Sequence, residues 1–249
     1  MMAVRSLVAK TKTLPGKTDV LGEDENPFST NKVTGHSLNF PIIGTCSPTE
    51  VCAETCYFAK GPSTWTAALK KQHRLLNAME ADPVALARQI SAWAVRLRLT
   101  FVRWNGGGDL TGRSPECIDA VATAIPDVPQ WVVTRKPEIA AKITPRENVF
   151  VHLSVDKGSW SRLEDFAAAA PKGLRWFWSY QCDSGEEPIG VLAPVVFRDK
   201  YEPAGTPRHP GDCPLNWSED ISGVCEKCRR CFSGEAVASA AAIDWREAA

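Results

Sequence analysis

The amino-acid sequence predicts an α/β fold, a partial (β/α) barrel of about six βα units with a cysteine-rich C-terminal extension. Short apolar runs alternate with helical stretches across most of the chain. The connections between these runs are long enough for crossover helices, which favours parallel pairing of the strands. Beyond residue 201 the chain becomes rich in Pro and Gly, and then in Cys. We therefore expect a polar arm over residues 1–35, the barrel over 36–201 and the extension over 202–249.

The first half of the chain introduces one strand and two helices. The arm is polar and interrupted by Pro and Gly, which is typical of surface segments. The apolar run 37–44 predicts the first strand, which ends directly before Cys46. Helices are predicted over 65–80 and 83–97. The second of them has Asp82 as its N-cap and Pro83 at its first helical position, two signals of a helix start.

From residue 99 onward, strands and helices alternate regularly. The predicted strands cover 99–104, 130–134, 148–154, 174–180 and 194–198, and the helices between them cover 115–124, 137–143 and 161–169. A further helix is predicted from Gly234. In a barrel and in a doubly wound sheet alike, functional residues follow the carboxyl ends of the strands. The loops after these strands are therefore the place to look for a site.

Composition limits the function classes. Hydrophobic residues make up 44% and charged residues 23% of the 249 residues, as in an ordinary globular protein. Lys and Arg together number 29, as do Asp and Glu, so no net field attracts nucleic acid. No apolar run approaches the roughly 20 residues that cross a membrane, and the start lacks the apolar core of a secretory signal. We expect a cytoplasmic protein with reduced thiols, in which nine cysteines indicate metal binding rather than disulfides.

Three cysteines stand together after the first predicted strand. Cys46, Cys52 and Cys56 fall within eleven residues. A loop of this kind can place three thiolates around one corner of a [4Fe–4S] cluster and leave the fourth iron open or ligated elsewhere. The alternative is that small buried cysteines cluster here by chance.

A second group lies in the extension. Cys213 precedes Cys225, Cys228 and Cys231, which are separated by two-residue spacers. This spacing is typical of ferredoxin clusters, and also of zinc ribbons. The sequence therefore predicts one or two [4Fe–4S] clusters, with zinc as the alternative at the C-terminal cysteines and one shared site for both groups as a further alternative. Cys117 and Cys182 are interpreted as buried thiols.

Polar and flexible residues follow several predicted strands. Glycines let a backbone approach a ligand closely, a carboxylate can hold an ammonium group, and a hydroxyl beside a carboxylate suits a ribose. The alternatives are tight turns, helix caps and solvated loop charges. The candidate cofactor-binding residues are Gly106, Gly107, Gly108, Asp109, Arg135, Ser154 and Asp156. Together they predict a small-molecule site at the mouth of the barrel.

The order of these features resembles the radical S-adenosylmethionine enzymes. In that superfamily a three-cysteine loop follows the first strand of a partial barrel, a Gly-Gly-Glu motif follows the second, and a Ser-x-Asp segment lies near the fourth. The resemblance implies cluster ligation by Cys46, Cys52 and Cys56, amine binding at Asp109 and ribose binding at Ser154 and Asp156. This chain differs in its cysteine spacers, which are five and three residues instead of three and two, and in having Asp109 for Glu.

The chain also resembles the phage gene product 88 family of uncharacterised proteins. The similarity covers residues 35 to 233 approximately and is carried by the segment 46–57, the turn 107–109, the pair Thr134 and Arg135, the pair Leu153 and Ser154, and the closing segment 228–232. It implies a phage or prophage origin, and hence the cytoplasm of a bacterial host. It implies no activity.

Three functions are consistent with these patterns. The first is an iron–sulfur protein with a radical-enzyme-like barrel, serving electron transfer, redox sensing or binding of a host protein. The second is an active radical S-adenosylmethionine enzyme on an unidentified substrate. The third is a binding protein stabilised by zinc. We expect iron–sulfur binding, while catalysis stays open.

Overall fold

The computed structural model describes residues 15–183, 186, 188, 191–198, 207–217, 220 and 222–243. Residues 1–14 of the predicted arm and residues 199–206, which join the end of the predicted barrel to the start of the predicted extension, lie outside the described residues. The rest of the arm contains a small antiparallel hairpin of strands β1 (Ser29–Asn31) and β2 (Gly35–Ser37).

A five-stranded parallel sheet forms the centre of the fold. Its strands are β3 (Val102–Trp104), β4 (Gln130–Thr134), β5 (Val149–Val155), β6 (Arg175–Gln181) and β7 (Val195–Phe197). They lie side by side in chain order, and every pair is parallel. The order runs in one direction, without the reversal that a doubly wound sheet has at its switch point. The α/β prediction is confirmed.

The first predicted strand is largely wrong. After β2, the segment from Leu38 to Phe40 runs beside β3: the Leu38 amide donates to the Arg103 carbonyl at 2.9 Å and the Phe40 amide to the Gly107 carbonyl at 2.8 Å. Pro41 then ends this pairing, because proline has no amide hydrogen to donate. Residues Ile42–Thr45 form a helical turn in which Gly44 has a φ of 97°.

Eight helices in the described part of the chain connect and cover the strands. They are α1 (Glu50–Thr55), α2 (Thr66–Ala81), α3 (Pro83–Arg96), α4 (Ser114–Ala124), α5 (Pro137–Ala140), α6 (Ser161–Ala169), α7 (Val224–Cys228) and α8 (Glu235–Ala241). Short 3-10 turns cover Tyr57–Ala59, Gly61–Thr64, Pro214–Asn216 and Arg230–Phe232. The predicted cap is present, since Asp82 accepts hydrogen bonds from the amides of Val84 and Ala85. None of the described helices is long and apolar enough to cross a membrane.

The sheet buries both of its faces. On one face Val151 pairs with Trp176, whose ring packs against Phe166 of α6 at 5.1 Å. The other face carries Phe101, Arg103, Trp131, Phe150 and His152, because side chains alternate along a strand. We call it the tail-covered face, since the C-terminal segment folds over it. The Phe232 ring stacks on Phe101 at 4.0 Å and lies 5.8 Å from Trp131.

Candidate metal centre

The loop that carries the first three cysteines is fixed to the carboxyl ends of the strands. Thr49, between Cys46 and Cys52, donates its hydroxyl hydrogen to the Asp156 carboxylate, which follows β5. Arg135, which follows β4, donates to the same carboxylate at 2.6 Å. Because the side chain of Asp156 is fully buried and that of Arg135 is only 11% exposed, little water competes with these bonds. The predicted proximity of the loop and the strand ends is present.

Asp109 provides a second attachment. Its amide donates to the Thr45 hydroxyl at 3.0 Å, directly before Cys46. Its carboxylate accepts hydrogen bonds from the Thr134 hydroxyl at 2.6 Å and from the amides of Leu110 and Arg135 at 2.8 and 3.2 Å. Burial raises the pKa of Asp109, although these bonds oppose the shift. The carboxylate therefore ties the end of β3 to the end of β4 beneath the cysteine loop.

The three glycines before Asp109 lie against the protein itself. A side-chain carbon on Gly106 would overlap Asn39, and one on Gly107 would overlap the Phe58 ring. Gly108 has a φ of +77°, and a Cβ there would lie 2.6 Å from the Phe40 carbonyl oxygen. Glycine is therefore required at these positions because the turn packs closely against neighbouring residues. Their role in cofactor binding stays a prediction.

Asp156 and Ser154 differ in what already surrounds them. Asp156 accepts two further hydrogen bonds at 3.0 Å, from the Gly158 amide and the Ser159 hydroxyl. Its oxygens are thus engaged by four donors of the chain. Ser154 is half-buried and pairs in register with Ser179 on the neighbouring strand. Ribose binding by this pair remains a prediction, and Asp156 has a structural role in any case.

The thiols of the first group interact with one another. The pKa of Cys46 is raised to about 12, chiefly by burial and then by the Asp109 charge, with contributions from Cys52 and Cys56. Burial also raises the pKa of Cys52, although the Arg135 charge opposes the shift. A nucleophilic cysteine has a lowered pKa, so these thiols are not activated for covalent catalysis. Grouped thiols of this kind become thiolates when a metal supplies positive charge.

The four cysteines of the C-terminal segment form a second group beside the sheet. The Cys213 amide donates to the Val196 carbonyl of β7 at 2.9 Å, and the Cys225 amide donates to Val33 at 3.3 Å. Burial raises the pKa of Cys213 to about 12 and that of Cys231 well above its usual value; both also interact with Cys225 and Cys228. The structure thus brings the seven cysteines together as two groups.

The arrangement of these side chains does not match a single-ion site. Among the described His, Cys, Asp and Glu residues, no group of three or more lies where it could hold a metal ion. A tetrahedral zinc site needs every sulfur about 2.3 Å from one point. Both ring nitrogens of His209, four residues before Cys213, are engaged in hydrogen bonds, one with the Val191 carbonyl and one with the Gly211 amide. Cys117 and Cys182 are buried, as expected.

Sequence reasoning missed two contributors to this region. Thr49 holds the loop on Asp156, a contact across 107 positions of the chain. A hydroxyl between two candidate ligands is a weak signal, so the sequence alone does not indicate this role. Arg103 lies on the tail-covered face, and its charge lowers the pKa of Cys213, Cys225 and Cys231 against the effect of burial. A charged residue within a predicted apolar strand could have indicated a role for Arg103 in this region.

Comparison with known proteins agrees with the resemblance to the gene product 88 family noted in the sequence. No curated protein and no solved structure matches the chain. A family model described as Gene product 88 matches residues 6–234, which is most of the chain and includes both cysteine groups. The chain belongs to the Gene product 88 family.

Proposed function

We propose that this chain is an iron–sulfur protein with a [4Fe–4S] cluster on Cys46, Cys52 and Cys56, and a second metal–thiolate centre on Cys213, Cys225, Cys228 and Cys231. The observation that carries the proposal is the attachment of the three-cysteine loop to the ends of three parallel strands. Asp109 and Asp156 make that attachment through hydrogen bonds with Thr45 and Thr49 of the loop, and Arg135 bonds to both carboxylates. A loop fixed in this way presents its thiols without needing a metal to order it.

The chemistry of the donors supports a cluster. The Cys46 and Cys52 thiols are half-buried, burial raises their pKa values, and both interact electrostatically with Cys56, so they suit a cationic centre better than a reactive nucleophile. A cluster places several irons and sulfides between its cysteines, whereas a zinc ion requires all sulfurs around one point. When bound, such a cluster supplies one-electron chemistry.

The surrounding residues would hold the loop and moderate its charge. Arg135 lies beside both Asp156 and Cys52, so it offsets negative charge where thiolates form. Thr45, directly before Cys46, bonds to Asp109, and Thr49, midway between Cys46 and Cys52, bonds to Asp156. Five parallel strands in chain order, with the cysteine loop attached beside their carboxyl ends, support a partial barrel.

A second candidate is an active S-adenosylmethionine enzyme. It is favoured by the number of thiols in the loop, since three thiolates leave one iron of a [4Fe–4S] cluster for another ligand. In this function Asp109, with Gly106 to Gly108 beside it, would bind the methionyl amine. Addition of S-adenosylmethionine and dithionite to the anaerobic protein would then yield 5′-deoxyadenosine. Unchanged cofactor and an unperturbed cluster spectrum would count against this candidate and leave the first one standing.

Metal and sulfide analysis tests the main proposal. Protein purified without oxygen should contain iron and acid-labile sulfide and absorb in the thiolate-to-iron region. Two triple variants separate the centres, one with Cys46, Cys52 and Cys56 changed to Ser, the other with Cys225, Cys228 and Cys231 changed to Ser. Each should lose one centre and keep the other. Cys117→Ser removes a buried thiol of α4 and is the matched control, with the metal content of the wild type.

The outcomes are distinct. Zinc in place of iron at the C-terminal cysteines would assign that group to a structural role and keep the cluster in the loop. Protein with neither iron nor labile sulfide after anaerobic purification would contradict the proposal. A triple variant of the loop with wild-type iron content would contradict the placement of the cluster.

A further inference from the structure

The tail-covered face contains two buried hydrogen-bond donors that have no partner among the described residues. They are Arg103 Nε and His152 Nε2, and both are shielded from solvent. A buried donor left without an acceptor costs about 1 to 3 kcal/mol. Two of them on one face, below a segment with four cysteines, indicate that an acceptor belongs there.

The position of Arg103 is set by three other contacts. Its guanidinium carbon lies 4.8 Å from the centre of the Trp131 ring. Its terminal nitrogens make only long hydrogen bonds, 3.4 Å to the Tyr57 hydroxyl and 3.5 Å to the Thr34 hydroxyl. Cys225 and Cys231 pack against the same aromatic cluster that includes Trp131. The guanidinium group of Arg103 therefore lies between the sheet and the cysteines, and its Nε–H makes no hydrogen bond to a described residue.

The tautomer of His152 follows from its neighbours. Its Nδ1 accepts a hydrogen bond from Trp131 Nε1 at 3.1 Å, so in the neutral ring the proton is on Nε2. The ring is 1% exposed and lies nearly parallel to Trp131 and stacked on Phe177. Burial, with the charges of Arg103 and Arg135, lowers the pKa of His152 to about 3, which keeps the ring neutral. His152 thus offers one N–H to whatever covers the face.

We propose that Arg103 and His152 are positioning residues for the metal–thiolate centre on Cys213, Cys225, Cys228 and Cys231: Arg103 offsets its negative charge, and both donate hydrogen bonds to its sulfurs. The inference rests on the proposed function. Four thiolates around either a [4Fe–4S] cluster or zinc carry a net negative charge, and a buried negative charge needs a partner. Outer hydrogen bonds of this kind set the potential and the stability of a metal site.

The test uses the full-length chain in which Cys46, Cys52 and Cys56 are changed to Ser, so that only the C-terminal centre contributes to the measured potential and metal release. Arg103→Gln removes the charge and Arg103→Lys keeps it. Since reduction adds negative charge, loss of the cation should lower the equilibrium constant for reduction by about tenfold, or about 59 mV for one electron. Arg103→Lys should stay near the wild type, and His152→Phe should give a smaller shift than Arg103→Gln. If the centre is zinc, Arg103→Gln should speed zinc transfer to a chelator about tenfold.

The control is Arg96→Gln. Arg96 also lies over a tryptophan ring, 4.5 Å from the centre of Trp93, but on an exposed part of α3. Its variant should match the wild type in both readouts. Loss of the centre in Arg103→Gln with retention in Arg103→Lys would support a need for charge. Loss in both, or an unchanged potential and release rate in Arg103→Gln, would overturn the inference. If the C-terminal cysteines bind no metal while the cysteines of the loop do, this inference is wrong and the proposed cluster in the loop still stands.

Discussion

Asp156→Asn should detach the cysteine loop from the sheet. The substitution keeps the shape of the side chain and its acceptor for Gly158 and Ser159, but it removes the charge that Arg135 and Thr49 require. Breaking a buried ion pair from one side costs about 3 to 5 kcal/mol. Because two of the four hydrogen bonds survive and Arg135 is slightly exposed, we expect the lower end, about 3 kcal/mol. For a chain of this length that corresponds to a fall in melting temperature of roughly 6 to 12 °C.

The measurement is urea unfolding of the metal-free protein, followed by tryptophan fluorescence and by circular dichroism. The pH dependence gives an independent check. Burial raises the pKa of Asp156, but the hydrogen bond from Thr49 and the charge of Arg135 outweigh it and lower the pKa overall. A lowered pKa in the folded state stabilises the protein above the unfolded pKa of about 3.9. The difference between wild type and variant should therefore be constant near neutral pH and shrink below about pH 4.

Glu147→Gln is the control for this prediction. Glu147 also pairs with an arginine, Arg175, at 3.3 Å, but its side chain is 96% exposed. An exposed pair contributes about 0 to 1 kcal/mol, so this variant should unfold almost as the wild type does. If Asp156→Asn also lay within about 0.5 kcal/mol of the wild type, the buried pair would not hold the loop. A difference that grew on acidification would refute the sign of the pKa argument.

Three further predictions concern the stability of the protein. Gly107→Ala should destabilise the protein by about 1 to 3 kcal/mol in thermal unfolding because its methyl group would overlap the Phe58 ring, whereas Gly112→Ala, in open space, should be nearly neutral. Asp212→Asn should cost about 3 to 5 kcal/mol, since Asp212 and Arg198 form a pair at 3.1 Å whose side chains are both nearly buried; equal urea midpoints for this variant and the wild type would refute it. Removal of metal by a chelator should lower the melting temperature of the wild type but leave that of a variant without the seven candidate ligands unchanged.

The strand prediction was accurate where the local sequence marks both ends of a strand. Strand β4 begins and ends where expected, at Gln130 and Thr134, because Pro129 and Pro137 confine a run of β-branched and aromatic residues. The run from Ser37 to Gly44 is equally apolar, yet it forms only a short pairing beside β3. Pro41 and Gly44 interrupt the hydrogen-bond pairing with β3, and the apolar composition of the run does not indicate this.

The sequence was sufficient to predict which residues form the candidate site, but not which contacts they make with one another. Chain order places the loops after β3, β4 and β5 at one edge, so Asp109, Arg135 and Asp156 could be grouped from the sequence. The bonds among them depend on side-chain directions that no local pattern encodes. The same holds for the glycines, which look like a ligand-binding turn but are required by Asn39 and Phe58.

The two cysteine groups differ in what orders them, and this difference bears on how a metal would act at each. The loop is fixed by Arg135, whose amide bonds to Asp109 and whose guanidinium bonds to Asp156, so one residue joins the ends of three strands. Such a loop is organised by the sheet, and a metal would bind to a site already formed. The C-terminal group covers a face on which Arg103 Nε and His152 Nε2 have no hydrogen-bond partner within the described part of the chain, so there a metal–thiolate centre would complete the packing itself. Binding energy at a site that is not complete beforehand becomes folding energy. Metal should therefore stabilise the C-terminal segment more than the loop.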